Sequence, residues 1–399
     1  MSQAAQVTKA DHPVVFFTIL GVGGLTLLLQ NIISTRQALL FLIGVGLGIS
    51  LLHAAFGFSS AWRNFIRERK SAGIRAQLLL FILVVLAFFP ILGQVFPGLS
   101  VSPALGPVGV SVLVGAFLFG VGMELGSGCG SGTLYTVGGG HVNMLVTLTF
   151  FIVGSLIGTA HLPWWVSLPN LGKISMIDEL GWLPAALLQV GLLAGLYLLV
   201  RYLEQRRHAR LAPLGSQDRA PFFERLIFGP WPLSWGVLGL ALFSLLTLLV
   251  AGHPWSITFA FGLWGAKLWT ALGGDLSSWA YWSGGYPARA LESSVLADVT
   301  SVMDFGIILG ALLAAALAGS FAPAKKIRWN LIAASVLGGL LLGYGARLAF
   351  GCNIGGMFAG LASGSLHGWL WLVAGFGGSI AGVYLRIFIG MDKPPGHRT

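Results

Sequence analysis

The sequence predicts an all-α integral membrane protein with about 10–11 transmembrane helices in two pseudo-symmetric repeats, each with a short re-entrant half-helix after a Gly-Cys motif. Three observations predict this fold class. First, 56% of the 399 residues are hydrophobic and only 9% are charged, whereas soluble domains carry about 25% charged residues. Second, the apolar residues form stretches of about 20 residues, which is the length that crosses a bilayer. Third, the only two cysteines lie in matching glycine-rich motifs.

The apolar stretches are separated by polar or glycine-rich segments, so that each one is a candidate membrane span. In chain order they lie near 14–31, 37–60, 76–96, 108–126, 144–161, 182–202, 233–251, 257–273, 303–321, 331–349 and 367–390.

The basic residues lie in short loops between these stretches, as expected for loops on the cytoplasmic side of a membrane. They cluster at 63–75, 201–225 and 325–328. The net charge of +10 therefore indicates orientation in a membrane and does not indicate nucleic-acid binding. Residues 203–230 form a long hydrophilic stretch that divides the chain into three predicted regions. These are a first membrane repeat plus connecting helix (1–202), a basic cytoplasmic linker (203–230) and a second membrane repeat (231–399).

Signatures of several other protein classes are missing from the sequence. There is no P-loop and no GxSxG nucleophile elbow. The two cysteines form no disulfide framework, and neither has metal-ligand spacing to another Cys or His. We therefore expect a protein that is not an enzyme and that holds no cofactor or metal.

An internal repeat relates the two halves. Residues 120–132 read GVGMELGSGCGSG and residues 343–355 read GYGARLAFGCNIG, so that the two cysteines are 223 residues apart, the difference between 129 and 352. The same offset maps five spans of the first half close to five spans of the second. The stretch 182–202 has no counterpart, which predicts a helix that joins the two repeats.

The relative orientation of the repeats stays open at this stage. The basic loop 63–75 maps onto 286–298, where charges are balanced, and the uncharged loop 97–107 maps onto 320–330, which has three cations. This exchange of charge favours an inverted repeat, which is common in transporters, with an irregular segment near 274–300. Simple counting of spans from the linker favours a parallel repeat.

Each cysteine is followed by a stretch too short and too rich in glycine to cross a membrane, at 130–142 and 353–366. Paired interrupted segments of this kind indicate a binding site near the middle of the bilayer. A helix that begins there exposes unpaired N–H groups and favours an anion and a thiolate. The candidate substrate-binding residues are Cys129, Cys352, Gly128, Gly351, Gly130 and Asn353. The alternative is that each cysteine is a small apolar residue at a helix crossing.

Ionisable residues inside the predicted spans are further candidates for the substrate site. A charge within the membrane is costly, so that an ionisable residue there is expected to have a function. Glu124 and Arg347 each lie five residues before a cysteine. They could pair with each other, lie at opposite mouths of a pore, or form a structural ion pair. Lys267 lies between two tryptophans and could offset the charge of a substrate or reach the membrane surface. His53 and His141 are weaker candidates.

The two Gly-x-Gly and Gly-Cys-x-x-Gly motifs, at 120–132 and 343–355, resemble the YeeE/YedE sulfur-transport family, as does the segment FGLWGAKLW around Lys267. The resemblance covers most of the chain. It implies a multi-pass protein of the bacterial cell inner membrane that passes a small sulfur anion such as thiosulfate along pore-facing cysteines. It also implies cooperation with a TusA-like cytoplasmic sulfur-carrier protein. The thiosulfate permeases of the family carry a further cysteine near the pore mouth, which this chain lacks.

Four functions are consistent with these observations. The leading one is a permease for thiosulfate, with Cys129 and Cys352 at its centre. A second keeps the permease and changes the cargo to a selenium compound or another sulfur oxyanion. A third is a membrane sulfurtransferase that forms a persulfide on one cysteine, and a fourth is a structural subunit whose cysteines only pack.

Overall fold

The computed structural model describes residues 10–208, 210–215, 221–321 and 329–392, with the side chains of 329 and 330 left out. In these ranges ten helical stretches are long and apolar enough to cross a membrane. The predicted all-helical membrane architecture is therefore confirmed. The predicted span 257–273 is the difference, because it is a helix of only 14 residues, about 21 Å at 1.5 Å per residue.

Nine helices and both strands of the described chain lie before the linker. The helices are α1 (His12–Ile32), α2 (Thr35–His53), α3 (Phe58–Glu68), α4 (Ala72–Leu92), α5 (Val110–Leu125), α6 (Gly130–Gly138), α7 (Val142–Ser167), α8 (Met176–Leu180) and α9 (Trp182–Arg207). The strands β1 (Pro107–Gly109) and β2 (Asn170–Lys173) form a short antiparallel pair.

The linker and the second half hold the remaining helices of the described chain. They are α10 (Phe222–Phe228), α11 (Leu233–Ala251), α12 (Thr258–Ala271), α13 (Gly285–Glu292), α14 (Val299–Leu317), α15 (Trp329–Leu348), α16 (Ala359–Ala362) and α17 (Leu366–Phe388). A 3-10 turn (Val295–Ala297) precedes α14, and a π-helical segment (Asn353–Phe358) runs directly into α16.

Four helices form the centre of the molecule, with α5 packed on α17 and on α15, and α15 packed on α7. Glycines let their backbones approach closely, as is usual where membrane helices pack. Gly115 lies against Gly345, whereas Gly122 lies against Gly338, so that α5 and α15 run antiparallel.

The helix α17 packs on α5 in the opposite sense to α15. Phe117 lies against Gly378 and Glu124 lies against Gly382, so that α17 runs parallel to α5. In the predicted repeat α15 corresponds to α5, and the antiparallel directions of these two helices agree with an inverted repeat. The two-repeat interpretation and the domain boundaries remain predictions.

Aromatic side chains fill the space between these helices. Phe119 packs edge-on against Phe151, and Phe151 against Phe261, with ring centroids 6.1 and 4.7 Å apart. All three rings are fully buried. In contrast, α1 and α9 expose rows of leucine, isoleucine and phenylalanine, as expected for helices that face lipid acyl chains.

The segment between α12 and α14 holds only the short helix α13 and the 3-10 turn. This agrees with the irregular segment expected near 274–300. The predicted basic cluster at 325–328 lies outside the described residues, as do residues 209 and 216–220 of the linker.

Candidate functional site

Both Gly-Cys motifs break a membrane helix in the same way. After α5, Ser127 adopts a left-handed φ of 59°, and after α15, Phe350 adopts a left-handed φ of 58°. The next helical segment then begins immediately after Cys129 in one half and after Cys352 in the other. Each cysteine is thus the N-cap residue of a short helix that starts inside the protein.

The helix that Cys129 begins was expected to be re-entrant. In the structure α5 and α6 together form one stretch, Val110–Gly138, that is long enough to cross the membrane. Leu331–Ala362 is the corresponding stretch around Cys352. The described geometry is therefore consistent with two interrupted spans, and it leaves the re-entrant path unconfirmed.

The two thiols cap the helices that follow them. Cys129 Sγ accepts a hydrogen bond from the Gly132 N–H at 3.4 Å and lies 3.5 Å from Ser131 Oγ. Cys352 Sγ accepts from the Ile354 N–H at 3.4 Å. Both cysteines are fully buried. A thiol that accepts such a bond still has its S–H group to donate.

Gly130 brings the two motifs into contact. A β-carbon built on Gly130 would lie only 2.9 Å from Cys352 Sγ, which is closer than real side chains approach. Gly351 has a φ of 145°, and a β-carbon there would lie 2.3 Å from the Gly356 nitrogen. Glycine is therefore required at both positions. At Gly128 a β-carbon would be 3.3 Å from Thr133, so that a side chain there would need only a small shift of its neighbour.

A first cavity, of about 240 Å³, is lined mainly by residues of α3, of α4 and of the chain just before α3. We call it the linker-side cavity, because Lys70 and the linker residue Ala212 line it together with Gly57, Ser60 and Gln77. A β-carbon on Gly57 would be 3.3 Å from Tyr135 Oη of α6. The adjacent Phe58 N–H faces Cys129. This cavity therefore reaches the elements that hold Cys129.

A second cavity, of about 220 Å³, lies beside the Cys352 motif. We call it the far cavity, and its lining includes His253, Trp255, Ser256, Gly355 and His367. Gly355 is three residues after Cys352, and a β-carbon on it would be 3.0 Å from Ser256 Oγ.

The two cavities lie at opposite ends of α11. Leu233, its first residue, lines the linker-side cavity, and His253, two residues beyond its end, lines the far cavity. A helix of 19 residues is about 28 Å long, close to the thickness of the hydrocarbon core. The two cavities are therefore separated by about the length of α11.

Two buried polar groups near the pair have no hydrogen-bond partner among the described residues. Asn353 Oδ1 is one, while Asn353 Nδ2 lies 3.9 Å from Met123 Sδ. Trp255 Nε1, at the far cavity, is the other. An unpaired buried polar group costs free energy unless a ligand or water satisfies it, so both are candidate substrate contacts.

The possible pair of Glu124 and Arg347 does not form. Glu124 is fully buried, and its carboxylate accepts from Arg63 Nε and from Ser379 Oγ, both at 2.7 Å. Arg347 donates to Tyr281 Oη at 3.0 Å and to the Thr258 carbonyl. Glu124 and Arg347 are thus held by different elements, and the sequence did not identify their partners because those lie far away in the chain.

Lys267 is engaged by backbone carbonyls. Its Nζ donates to the carbonyls of Leu291 and Ser293, at 2.7 and 2.6 Å. Cations at a helix C-terminus stabilise the exposed carbonyls there, so Lys267 holds the end of α13. The substrate role predicted for it has no support in this arrangement.

The two weaker histidine candidates lie away from the cysteine pair. His53 is buried and packs on Trp231, with ring centroids 5.5 Å apart. His141 precedes α7 and is exposed. His53 is thus a packing residue, and the candidate roles of the two histidines in a substrate site have no support in this arrangement.

Two features were missed by the sequence reasoning. One is a charged cluster near the end of α17, in which Arg386 and Arg67 bind Asp392 at 2.8 and 2.9 Å. The hydrogen bonds from Arg386 hold the pKa of Asp392 below its ordinary value. The other is Asp304, a buried acid within α14. Its position inside the predicted span 303–321 was a sufficient signal, since intramembrane acids are rare and functional.

Two interrupted membrane helices whose broken ends meet indicate a membrane transport protein. The family model described as sulphur transport matches residues 53–381. The chain belongs to this family of sulphur transport proteins, in agreement with the resemblance seen in its motifs.

Curated relatives agree with this membership. The chain is 27% identical to "Thiosulfate transporter TsuA" of Spirochaeta thermophila, over 82% of this chain and 92% of the relative. It is 33% identical to "Probable transporter YedE" of Escherichia coli over 31% of this chain, and 31% identical to YedE of Salmonella typhimurium over 36%. These matches span about a third of each YedE protein, 30% and 35% of their lengths.

Proposed function

We propose that this protein is a permease of the bacterial inner membrane that carries thiosulfate between the linker-side cavity and the far cavity, past Cys129 and Cys352. The observation that carries the proposal is the contact of the two helix-capping cysteine motifs through Gly130, in a protein that also has a cavity at each end of α11. The similarity to a thiosulfate transporter over 82% of this chain supports the choice of cargo.

The chemistry of the pair suits a sulfur anion. The first turns after the two cysteines present backbone N–H groups and the positive ends of short helices, which stabilise negative charge. The thiols add soft, polarizable hydrogen-bond donors. Thiosulfate carries a soft terminal sulfur that can accept a hydrogen bond from an S–H group. The substrate would therefore pass from one thiol to the other by hydrogen bonding, with no covalent change.

The path is closed in this conformation, since both thiols are fully buried. Passage requires the short helices to move relative to the central helices, first toward one cavity and then toward the other. A β-carbon would clash with its neighbours at Gly130 and at Gly351, and we propose that these two tightly packed positions form the constriction that opens.

We propose that a partner protein binds the basic face of the molecule on the side of the linker. A TusA-like cytoplasmic sulfur carrier would collect the product there, near Lys70 and the linker residue Ala212 that line the linker-side cavity. Retention of the purified protein by an immobilised carrier of this type would test the contact, and equal retention after charge reversal at Lys70 would contradict it.

The deciding experiment is uptake of sulfur-labelled thiosulfate into proteoliposomes. We expect Cys129→Ala and Cys352→Ala each to abolish uptake while the protein keeps its elution profile in detergent. The matched control is Ser244→Ala, which removes another small, fully buried polar side chain, in α11, and which we expect to transport normally. Normal uptake by both cysteine variants would contradict the proposal.

The same preparations separate the remaining alternatives. A sulfur adduct that persists on either cysteine after thiosulfate treatment, detected by mass spectrometry, would favour a sulfurtransferase. Competition by selenium compounds or other sulfur oxyanions, with no uptake of thiosulfate itself, would keep the permease and change its cargo.

A further inference from the structure

Asp304 lies inside the membrane region with nothing to neutralise it. It is in the second turn of α14, is fully buried, and neither of its carboxylate oxygens has a hydrogen-bond partner among the described residues. A carboxylate charge in such surroundings is strongly disfavoured, because burial removes its hydration without a compensating partner. The stable form of this side chain in the closed conformation is therefore the neutral acid.

The fold places Asp304 beside the cysteine pair. Three residues earlier on α14, Ser301 accepts from Trp264 Nε1 of α12 at 2.9 Å. Four residues later, a β-carbon on Gly138 of α6 would be 2.4 Å from the Ile308 carbonyl. Residues three and four apart share a helix face, so Asp304 faces the space between α12 and α6, the helix that Cys129 begins.

Its electrostatic surroundings are defined by few groups. Asp304 lies within electrostatic range of the Cys352 thiol and of Asp298, the N-cap of α14. Asp298 is already bound by Tyr286 Oη and by Ser301. The ionisable residues on the elements that pack against α14 are His12 on α1, Arg36 and His53 on α2, Tyr135 on α6, Glu224 and Arg225 on α10, and Lys267 on α12.

The Arg and Lys side chains on the packed elements are engaged elsewhere, and Arg225 donates to the Pro230 carbonyl at 3.4 Å. Arg36 donates to the carbonyls of Val250 and Ala251, and Lys267 holds the carbonyls after α13. No cation therefore replaces the proton on Asp304 in the described part of the chain.

We propose that Asp304 carries a proton across the membrane together with the anion. This inference rests on the proposed function. An anion at the cysteine pair repels a carboxylate at Asp304, so that the anion binds only when Asp304 is protonated, and by reciprocity the anion tightens the binding of the proton. Asp304 takes the proton from water on the side of uptake and returns it to water on the other side, with one O–H bond formed and one broken.

The test measures both ions in the same vesicles. Proteoliposomes with wild-type protein, labelled thiosulfate outside and a pH-sensitive dye inside should show uptake with acidification of the interior. Thiosulfate carries two negative charges, so that transport with one proton moves one net negative charge, and potassium with valinomycin is added on both sides to hold the membrane potential at zero. An inward gradient of one pH unit should then raise steady-state accumulation about tenfold for one proton per anion. Asp304→Asn mimics the neutral acid, and we expect it to take up thiosulfate without acidification and without the tenfold response. Asp275→Asn, which alters an exposed acid bound to Ser277, should behave as the wild type.

Each outcome decides something definite. Wild-type uptake without acidification, or uptake driven by a sodium gradient instead, would overturn the role of Asp304 and leave the permease intact. Acidification that persists in Asp304→Asn would also overturn it. Absence of thiosulfate uptake by the wild type would overturn the proposed function and this inference together.

Infrared spectroscopy tests the protonation of Asp304 without a transport assay, and the result from the wild type does not depend on whether a variant folds. Infrared spectra of wild type should contain a carboxylic-acid C=O band that thiosulfate perturbs, and Asp304→Glu should retain such a band. If thiosulfate perturbs no carboxylic-acid band in the wild type, the inference is wrong.

Discussion

Gly130 is the residue through which the two Gly-Cys motifs touch, and its missing side chain is what lets Cys352 approach. We expect Gly130→Ala to reduce thiosulfate uptake at least tenfold, because its β-carbon would lie 2.9 Å from Cys352 Sγ. The control is Gly195→Ala on α9, where a β-carbon would meet nothing within 4 Å. That change should leave uptake unaltered and stabilise the helix by up to about 1 kcal/mol. Equal uptake by both variants would show that the contact is unimportant.

Glu124 stabilises the fold through an ion pair with Arg63, in which the Glu124 side chain is fully buried and the Arg63 side chain is 20% exposed. Removing one partner of a fully buried pair costs about 3–5 kcal/mol, and the partial exposure of Arg63 reduces that cost. We expect Glu124→Ala to lower the melting temperature in detergent strongly, since Arg63 and Ser379 both lose their acceptor.

A double variant separates this cost from lost packing. In Glu124→Ala with Arg63→Leu the remaining charge is also gone, so that the double variant should be more stable than Glu124→Ala alone. If the losses of stability in the two single variants simply add in the double variant, the ion pair contributes nothing and our account of Glu124 is wrong.

At the scale of elements, the end of α17 is tied to α3 by charge, since Asp392 binds Arg386 and Arg67. The pKa of Asp392 is lowered in the folded state, so its stabilising effect is present above its unfolded pKa and is lost as the pH falls through the folded pKa. We expect Asp392→Asn to melt a few degrees lower than the wild type at pH 7, as for a partly exposed ion pair of up to about 1 kcal/mol.

The sign of this dependence is the test. The difference in melting temperature between Asp392→Asn and the wild type should shrink as the pH falls below the ordinary range of an aspartate. A difference that grows toward acid would contradict the assignment.

Elements were predictable from the sequence where local chemistry decides them. Long apolar stretches match ten candidate spans, since a helix in lipid must satisfy its own backbone hydrogen bonds. The short glycine-rich stretch after each cysteine indicated a broken helix, and the structure has a break at each cysteine. The stretch 257–273 was overestimated, because hydropathy does not reveal that α12 ends at Ala271 and gives way to irregular chain.

Partners were not predictable, because they come from distant parts of the chain. Glu124 meets Arg63 and Ser379, which are 61 and 255 residues away. The offset between repeats suggested Arg347 as its partner, but equivalent positions in two repeats need not face each other. The unpaired state of Asp304 also depends on the packing of three helices, and no local pattern reveals it.

At the scale of the whole molecule, the proposed path requires that the two cavities open toward opposite faces of the membrane. Gly215 is an exposed linker residue near the start of α11, where the Ser234 N–H donates to the Leu214 carbonyl. Ser100 is exposed near its other end, where the Ser102 N–H donates to the Gly252 carbonyl at 2.7 Å. These two positions therefore report on the two faces.

Labelling single cysteines from outside the membrane tests this arrangement. With both native thiols buried, a membrane-impermeant maleimide applied to spheroplasts should label Ser100→Cys and leave Gly215→Cys unlabelled, and inverted membrane vesicles should give the reverse pattern. Detergent-solubilised protein, in which both positions should react, is the control for exposure. Labelling of both positions from one side would place the cavities on the same face, and the cysteine pair could then not lie on a path across the membrane.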